Sequence, residues 1–186
     1  MLNKHRYAVE ILEEENITWQ QQNQIHKILN IAYDGISIKF LAKTYGHIRP
    51  IERVVGYLND EMVAHLGISH DILFLDRDHI NISCLGLWAS LRQGWAERVM
   101  EKSLTHLNSQ GVLLAIGISN NKIILNRVLP KFKHVKLDIP VHGNFFSSKA
   151  SDTVIVFPIC ISDNDFRNVL DEIEKAQAIY IKGEPF

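Results

Sequence analysis

Long apolar runs are missing from this chain of 186 residues. No stretch approaches the ~18 apolar residues of a membrane helix. The opening MLNKHRYAVEILEEEN has neither an apolar signal core nor a cleavage site. Cysteine is scarce: Cys84 and Cys160 are the only two, both lie in strand-like runs, and no C-x-x-C pair occurs. They read as reduced core thiols, which fits a cytoplasmic protein. Nine histidines are scattered without ligand spacing and H-E-x-x-H is absent, so no metal centre is expected. An excess of either charge is lacking too. Lys and Arg number 20 against 21 Asp and Glu, for a formal net charge of -1, so no footprint of a nucleic-acid binder shows. Neither G-x-G-x-x-G nor G-x-x-x-x-G-K-[ST] occurs, which excludes the usual dinucleotide fingerprint and the P-loop.

What is present is a globular composition, 46% hydrophobic and 22% charged, of a length that suits a single domain over residues 1–186. The most informative stretch runs from Ile80 to Ser119. INISCLGLW is apolar without helical period and reads as a strand. SLRQGWA is a short turn carrying Arg92, Gly94 and Ala96. AERVMEKSLTHLNSQ places Val99, Met100, Leu104 and Leu107 at helical spacing, Gly111 follows, and GVLLAIGIS is a second strand. Strand, glycine turn, helix, strand is a βαβ unit. The first N–H groups of its helix lack intrahelical partners and carry the positive end of the dipole, which makes them a candidate phosphate or pyrophosphate site.

Elsewhere, Tyr7 to Leu12 reads as a first strand, and Thr18 caps a helix from Trp19 with Ile25, Ile28, Leu29 and Ala32 on one stripe. Asp34-Gly35 ends it, and Ser37 caps a second helix stopping at Gly46. Three strands with tight turns at Asn59-Asp60 and Asp76-Arg77-Asp78 follow, and Gly67 marks a candidate bulge or bend in the middle one. After the βαβ unit, Ser119-Asn120-Asn121 caps a helix KIILNRVL ended by Pro130. KHVKLDI is a strand, PVHGNFFSSKAS a loop and DTVIVFPI a strand. SDNDFRNVLDEIEKAQAIYI reads as a terminal amphipathic helix capped by Ser162 or Asp163. The expectation is a mixed α/β (α+β) sheet, largely antiparallel, with one central βαβ crossover and helices on both faces.

This order resembles the Gcn5-related N-acetyltransferase (GNAT) arrangement, and SLRQGWA resembles that family's Q/R-x-x-G-x-G/A turn, departing at the first position, where Leu91 stands unless the turn is one residue shorter and Arg92 plays that part. FLAKTYG, RPIERVVGY, VAHLG, LGL, RVM and DTVIVFPI, in this order, further resemble the nodulation N-acyltransferase (NodA) family. R-P-x-x-R-x-x-G-Y, here Arg49, Pro50, Arg53, Gly56 and Tyr57, is the most specific. Aminoglycoside 2′-N-acetyltransferases are similar in size and in R-Q-G-x-[AG]. The resemblance implies transfer of an acyl group from a thioester, acetyl-CoA, acyl-CoA or an acyl carrier protein, to a primary amine of an amino sugar. It implies that Leu87, Trp88 and Ala89 line the pantetheine arm, and that Arg92, Gln93, Gly94, Trp95 and Ala96, with Asn120, hold the rest of the donor. Bulky Leu85, Leu87, Trp88, Phe40 and Leu41 argue for an acetyl or short acyl group.

A strand carboxylate is the family's usual base, and this chain reads Ser83-Cys84-Leu85-Gly86-Leu87 where it would stand. A water, a backbone carbonyl, His65 or His79 are the alternatives. His65 alternates with Ala64 and Leu66, so it is either that base or a histidine satisfied by its neighbours. Cys84 is a core residue or a nucleophile. Ser119 is a proton donor to the leaving thiolate or a helix cap. Tyr45, His47, Arg49 and Arg53 are candidate contacts to the acceptor or the donor, and Asp138 and His142, the latter beside Asn144 and Ser147 in a polar loop, are candidate acceptor contacts. The expected partner is a small-molecule amine, with no nucleic acid or membrane, and a homodimer is an open alternative to the monomer. A GNAT-like, non-catalytic CoA-binding or interaction module is the competing reading.

Overall fold

A computed structural model describes residues 6–33, 50–75, 79–143, 152–177 and 179–182. The chain divides into two units, Met1–Ser69 with Gly86–Thr105, and His70–Leu85 with His106–Phe186. The strands β3 (Glu61–Phe74) and β4 (His79–Ser90) and the helix α2 (Trp95–Ser109) each contribute residues to both.

In the first unit, β1 (Tyr7–Glu13) runs antiparallel to β2 (Glu52–Leu58), from Tyr7↔Leu58 to Glu13↔Glu52. β2 turns into β3 through Asn59 and Asp60, at φ +50° and +64°, residue types that accept the left-handed region a two-residue hairpin requires. Helix α1 (Trp19–Ala32) begins where expected. Thr18 Oγ1 accepts from Gln21 N–H, and Gln21 Oε1 accepts from Thr18 N–H in return. Its Ile25, Ile28 and Leu29 pack with Val55, Met62 and Ala89.

Of the bulge or bend expected at Gly67, the register shows no bulge there: the β2–β3 register shifts between Gly56 and Tyr57. Both glycines answer to close approach instead. A Cβ on Gly67 would stand 2.9 Å from Pro50 Cγ, and one on Gly56 would stand 2.6 Å from Trp95 Cε3.

In the second unit, Ile82–Leu85 of β4 pair in parallel with Leu114–Gly117 of β5 (Leu114–Ser119), and α2 makes the crossover. β8 (Thr153–Pro158) lies antiparallel to β5 and to β6 (Val135–Leu137). Three sequence expectations change. KIILNRVL is mostly a π-helical turn, Ile124–Val128, followed by a 3-10 turn, Leu129–Lys131, that contains Pro130. Pro130 lacks the N–H for a continuing ladder, and the wider and then tighter turns fit around it.

Val141–Gly143, expected as loop, is the short strand β7. The terminal helix α3 (Asp163–Ala176), capped by Ser162 Oγ, stops at Gln177 with φ +55°. Ile179–Lys182 then leave it as β9, parallel to β7 and antiparallel to Ile72–Phe74. Ile-Tyr-Ile suits a strand better than a helix end. The apolar core here includes Ile82, Cys84, Ile116, Val154, Val156, Phe166 and Ile173. The second helix expected from Ser37 to Gly46, and the turn at Asp76-Arg77-Asp78, lie outside the described residues.

The observed mixed α/β fold, a largely antiparallel sheet with a βαβ crossover and helices, is the one the residue pattern implies. Among the described residues no helix is long and apolar enough to cross a membrane, and no group of His, Cys, Asp and Glu could hold a metal ion.

Candidate functional site

The first unit contains the glycine turn and the strand end that leads into it. Ser90 shapes the turn: its hydroxyl donates to Arg92 O at 2.7 Å and accepts from Arg92 N–H. Gly94 follows at φ +80°, and a Cβ there would meet nothing within 4 Å. Helix α2 starts at Trp95. The turn therefore opens a 15-residue helix beside unfilled space, with Arg92 and Gln93 exposed. These residues fit an anionic group by backbone N–H donation, by the helix dipole and by the Arg92 charge.

Trp95 is buried against Gly56, and the Arg98 guanidinium lies 5.3 Å from the Trp95 ring centre and 4.9 Å from that of Tyr7. Trp88 is tied to the same turn, its indole N–H donating to Ala96 O at 3.1 Å. The Ala89 side chain is buried with the α1 residues.

Leu87 has φ +53° inside β4, a conformation that side chains other than glycine rarely take. Its carbonyl accepts a hydrogen bond from His65 Nδ1 at 3.0 Å. The next carbonyl, Trp88 O, accepts from the Tyr33 hydroxyl at 3.4 Å.

His65 is fully buried. A carbonyl only accepts, so Nδ1 carries the hydrogen. Arg53 Nη1 only donates, at 3.2 Å, so Nε2 is the acceptor. Burial first and the Arg53 charge second push the His65 pKa down to about 3. Arg53 in turn grips Glu14 with both forks, Nη2 to Oε1 at 2.9 Å and Nε to Oε2. Arg53 is 3% exposed.

His65 was a candidate base. The structure instead gives it a neutral ring whose nitrogens are both engaged, with no lone pair for an acceptor's proton. The other sequence candidates separate. Cys84 belongs to the core of the second unit, where burial, helped by the charge of Asp71, pushes its thiol pKa up; it holds no ready thiolate. Ser119 Oγ accepts from Asn121 N–H at 3.1 Å, and Asn121 is the cap of the turn that follows, its Oδ1 accepting from Ile123 N–H and Ile124 N–H. Asn120 and Asp138 are exposed. His142 sits in β7, and its side chain lies outside the description, as do Tyr45, His47, Arg49, Asn144, Ser147, Phe40 and Leu41.

Two residues of this site had not been singled out. Glu14 lies in a polar break whose composition gives no hint of a partner 39 positions away. Tyr33 continues the α1 stripe at i+4 from Leu29 and i+8 from Ile25, and that spacing was readable.

No family model matches the sequence, and no curated protein matches it significantly. Among solved structures, the chain is similar to FeeM, an N-acyl amino acid synthase from uncultured soil microbes. The TM-score is 0.60 at 11% identity, over 84% of this chain and 92% of that one. It is similar to the ribosomal-protein-S18-alanine N-acetyltransferase of Escherichia coli, with a TM-score of 0.57 at 14% identity over 85% and 98%. It is also similar to a probable N-acyltransferase of Enterococcus faecalis, with a TM-score of 0.54 at 10% identity over 69% of this chain. The chain spans 32% of that last protein's length. These likenesses establish the fold that this chain shares with those proteins.

Proposed function

We propose that this chain is a GNAT-type N-acyltransferase that moves an acetyl or short acyl group from a CoA thioester to a primary amine, with an amino sugar as the acceptor class. The observation that carries the reading is the turn Ser90–Ala96: a left-handed Gly94 facing open space, at the head of a long helix, on the fold of N-acyltransferases. The resemblance of R-P-x-x-R-x-x-G-Y to NodA and of R-Q-G-x-[AG] to the aminoglycoside enzymes supports the amino-sugar class.

In this reading the N–H groups of the turn and Arg92 bind the pyrophosphate, and Trp88, fixed to Ala96 O, lines the donor arm. The acceptor ammonium releases a proton and its nitrogen attacks the thioester carbonyl carbon. The C–S bond breaks and the thiolate takes a proton. His65 does not take the ammonium proton, so the proton leaves to water.

The second reading, a CoA-binding module without catalysis, is favoured by one feature. Cys84 stands where a strand carboxylate would be expected and has a raised thiol pKa.

Two measurements decide between them. CoA at a hundredfold excess over its Kd should raise stability by about 2.7 kcal/mol. Gly94→Asp, a residue that tolerates the left-handed region, should lose that stabilisation because its carboxylate opposes the phosphate. A parent chain that CoA does not stabilise overturns both readings. Release of thiol from acetyl-CoA in the presence of an amino sugar supports the transferase, and CoA binding without it supports the module.

A further inference from the structure

We propose that Glu14, Arg53 and His65 are positioning residues that set the peptide between Leu87 and Trp88, so that its N–H is the donor to the thioester carbonyl oxygen; this rests on the acyl-transfer reading above. The starting observation is the strain. A non-glycine residue in the left-handed region is strained and persists only where its surroundings fix it. Leu87 at φ +53° is fixed by His65 Nδ1–H on its carbonyl.

In a trans peptide the C=O and N–H point in opposite directions. Holding Leu87 O against His65 therefore aims Trp88 N–H away from His65. Tyr33 on Trp88 O and Ala96 O on the Trp88 indole hold the same residue at two further points. The residue before the kink is Gly86, where a Cβ would meet nothing within 4 Å, so there is room for a reacting group beside it.

The chain behind His65 gives this arrangement a direction. Arg53 donates a charged hydrogen bond to Nε2, and Glu14 holds Arg53 in both forks. A cationic donor on Nε2 strengthens Nδ1–H as a donor. That hydrogen bond draws charge onto Leu87 O and makes Trp88 N–H a better donor in turn. Such a preset donor favours the tetrahedral oxyanion over the flat thioester. Protonating His65 would break the chain at Arg53, and its neutral state is what the arrangement requires.

The test is thiol release from acetyl-CoA with glucosamine as acceptor, alongside calorimetry with plain CoA. His65→Leu should lower kcat roughly 10²–10³-fold, the effect of losing one oxyanion donor, while CoA affinity and the KM for acetyl-CoA stay at parental values. His65→Asn, whose amide N–H replaces Nδ1–H, should recover most of the loss. Glu14→Gln keeps the shape of the partly exposed end of the chain and should lower kcat several-fold with the same unchanged CoA affinity. That variant carries the test if His65→Leu does not fold.

A folded His65→Leu that binds CoA and keeps the parental kcat overturns the inference and leaves the transferase intact. A parent that binds CoA and never releases thiol overturns the transferase, and the inference with it. A loss in His65→Leu that His65→Asn does not recover also counts against the chain.

Discussion

The two units bury different things. In the second, the interior is an apolar cluster from Leu73 and Ile82 to Phe166 and Ile181, and its buried polar residue, Ser83, is hydrogen-bonded to His70 Nδ1 at 3.0 Å. The first has an apolar cluster around Ile25, Leu29 and Met62, also buries Val54, Leu66, Ile68, Val99 and Met100, and among its described residues buries Glu52, Arg53, His65 and Ser103 as well. Apolar burial is non-directional and tolerates small changes of shape, whereas a buried charge holds only while its partners are in place. The unit with the fixed peptide at Leu87 is the one that adds a buried charge and its directional contacts to its apolar interior. A left-handed residue in a strand needs contacts that specify angle as well as volume.

The largest expected effect is loss of the central charge. Arg53→Met leaves Glu14 without its fork and His65 Nε2 without its donor, in a setting where Arg53 is 3% exposed. Breaking one side of such a pair should destabilise by about 3 kcal/mol, read by urea unfolding. Adding Glu14→Leu to Arg53→Met should recover part of that loss, because the carboxylate then no longer goes unpaired. An Arg53→Met chain as stable as its parent would mean that the two units differ in composition and not in what holds them.

The next effect is on acid stability. His65 has a folded pKa pushed down to about 3 against 6.5 for the ordinary ring. Between those values the unfolded chain binds the proton and the folded one does not, so stability rises with pH there. The contribution is fully present above about pH 6.5. It falls by up to about 1.4 kcal/mol for each pH unit below that, down toward pH 3. The difference between the parent and His65→Gln isolates the term from other titrating groups, and His65→Gln should have the shallower acid limb. Equal limbs would show that His65 takes up a proton without unfolding, which its place between Arg53 and Leu87 O does not allow.

Much of the frame was readable because local rules dictated it. Thr18 with Gln21 is a capping box in any context, Asn59-Asp60 suits a left-handed turn, and Gly94 follows a strand and precedes a periodic helix. The motif R-P-x-x-R-x-x-G-Y was readable as a pattern, and the structure gives reasons for three of its members. Pro50 fills the space over Gly67, Arg53 joins Glu14 to His65, and Gly56 makes way for Trp95. What could not be read depended on distance in the fold. Glu14 meets Arg53 across 39 residues, and no period connects them. His65 looked like a base because alternation gives the face a side chain points to and not what waits there. The β9 strand was absorbed into the preceding helix because Phe166, Val169 and Ile173 carry a strong helical period up to it.

The smallest expected effect tests the apolar side of the comparison. Ile116 is fully buried in β5, paired with Cys84 on one side and Val156 on the other. Ile116→Val removes one methylene and keeps the β-branch that suits a strand, so neither backbone preference nor hydrogen bonding changes. What is lost is the transfer free energy of that group and the contacts of the small void it leaves, together about 0.5–1.5 kcal/mol. In a chain of this length that corresponds to roughly 2–4 °C in Tm per kcal/mol. The urea midpoint should fall while its slope stays at the parental value, since the surface exposed on unfolding hardly changes. CoA should stabilise Ile116→Val as it does the parent. A loss as large as that of Arg53→Met would mean that β5 is held as tightly in shape as the Leu87 peptide is held in angle.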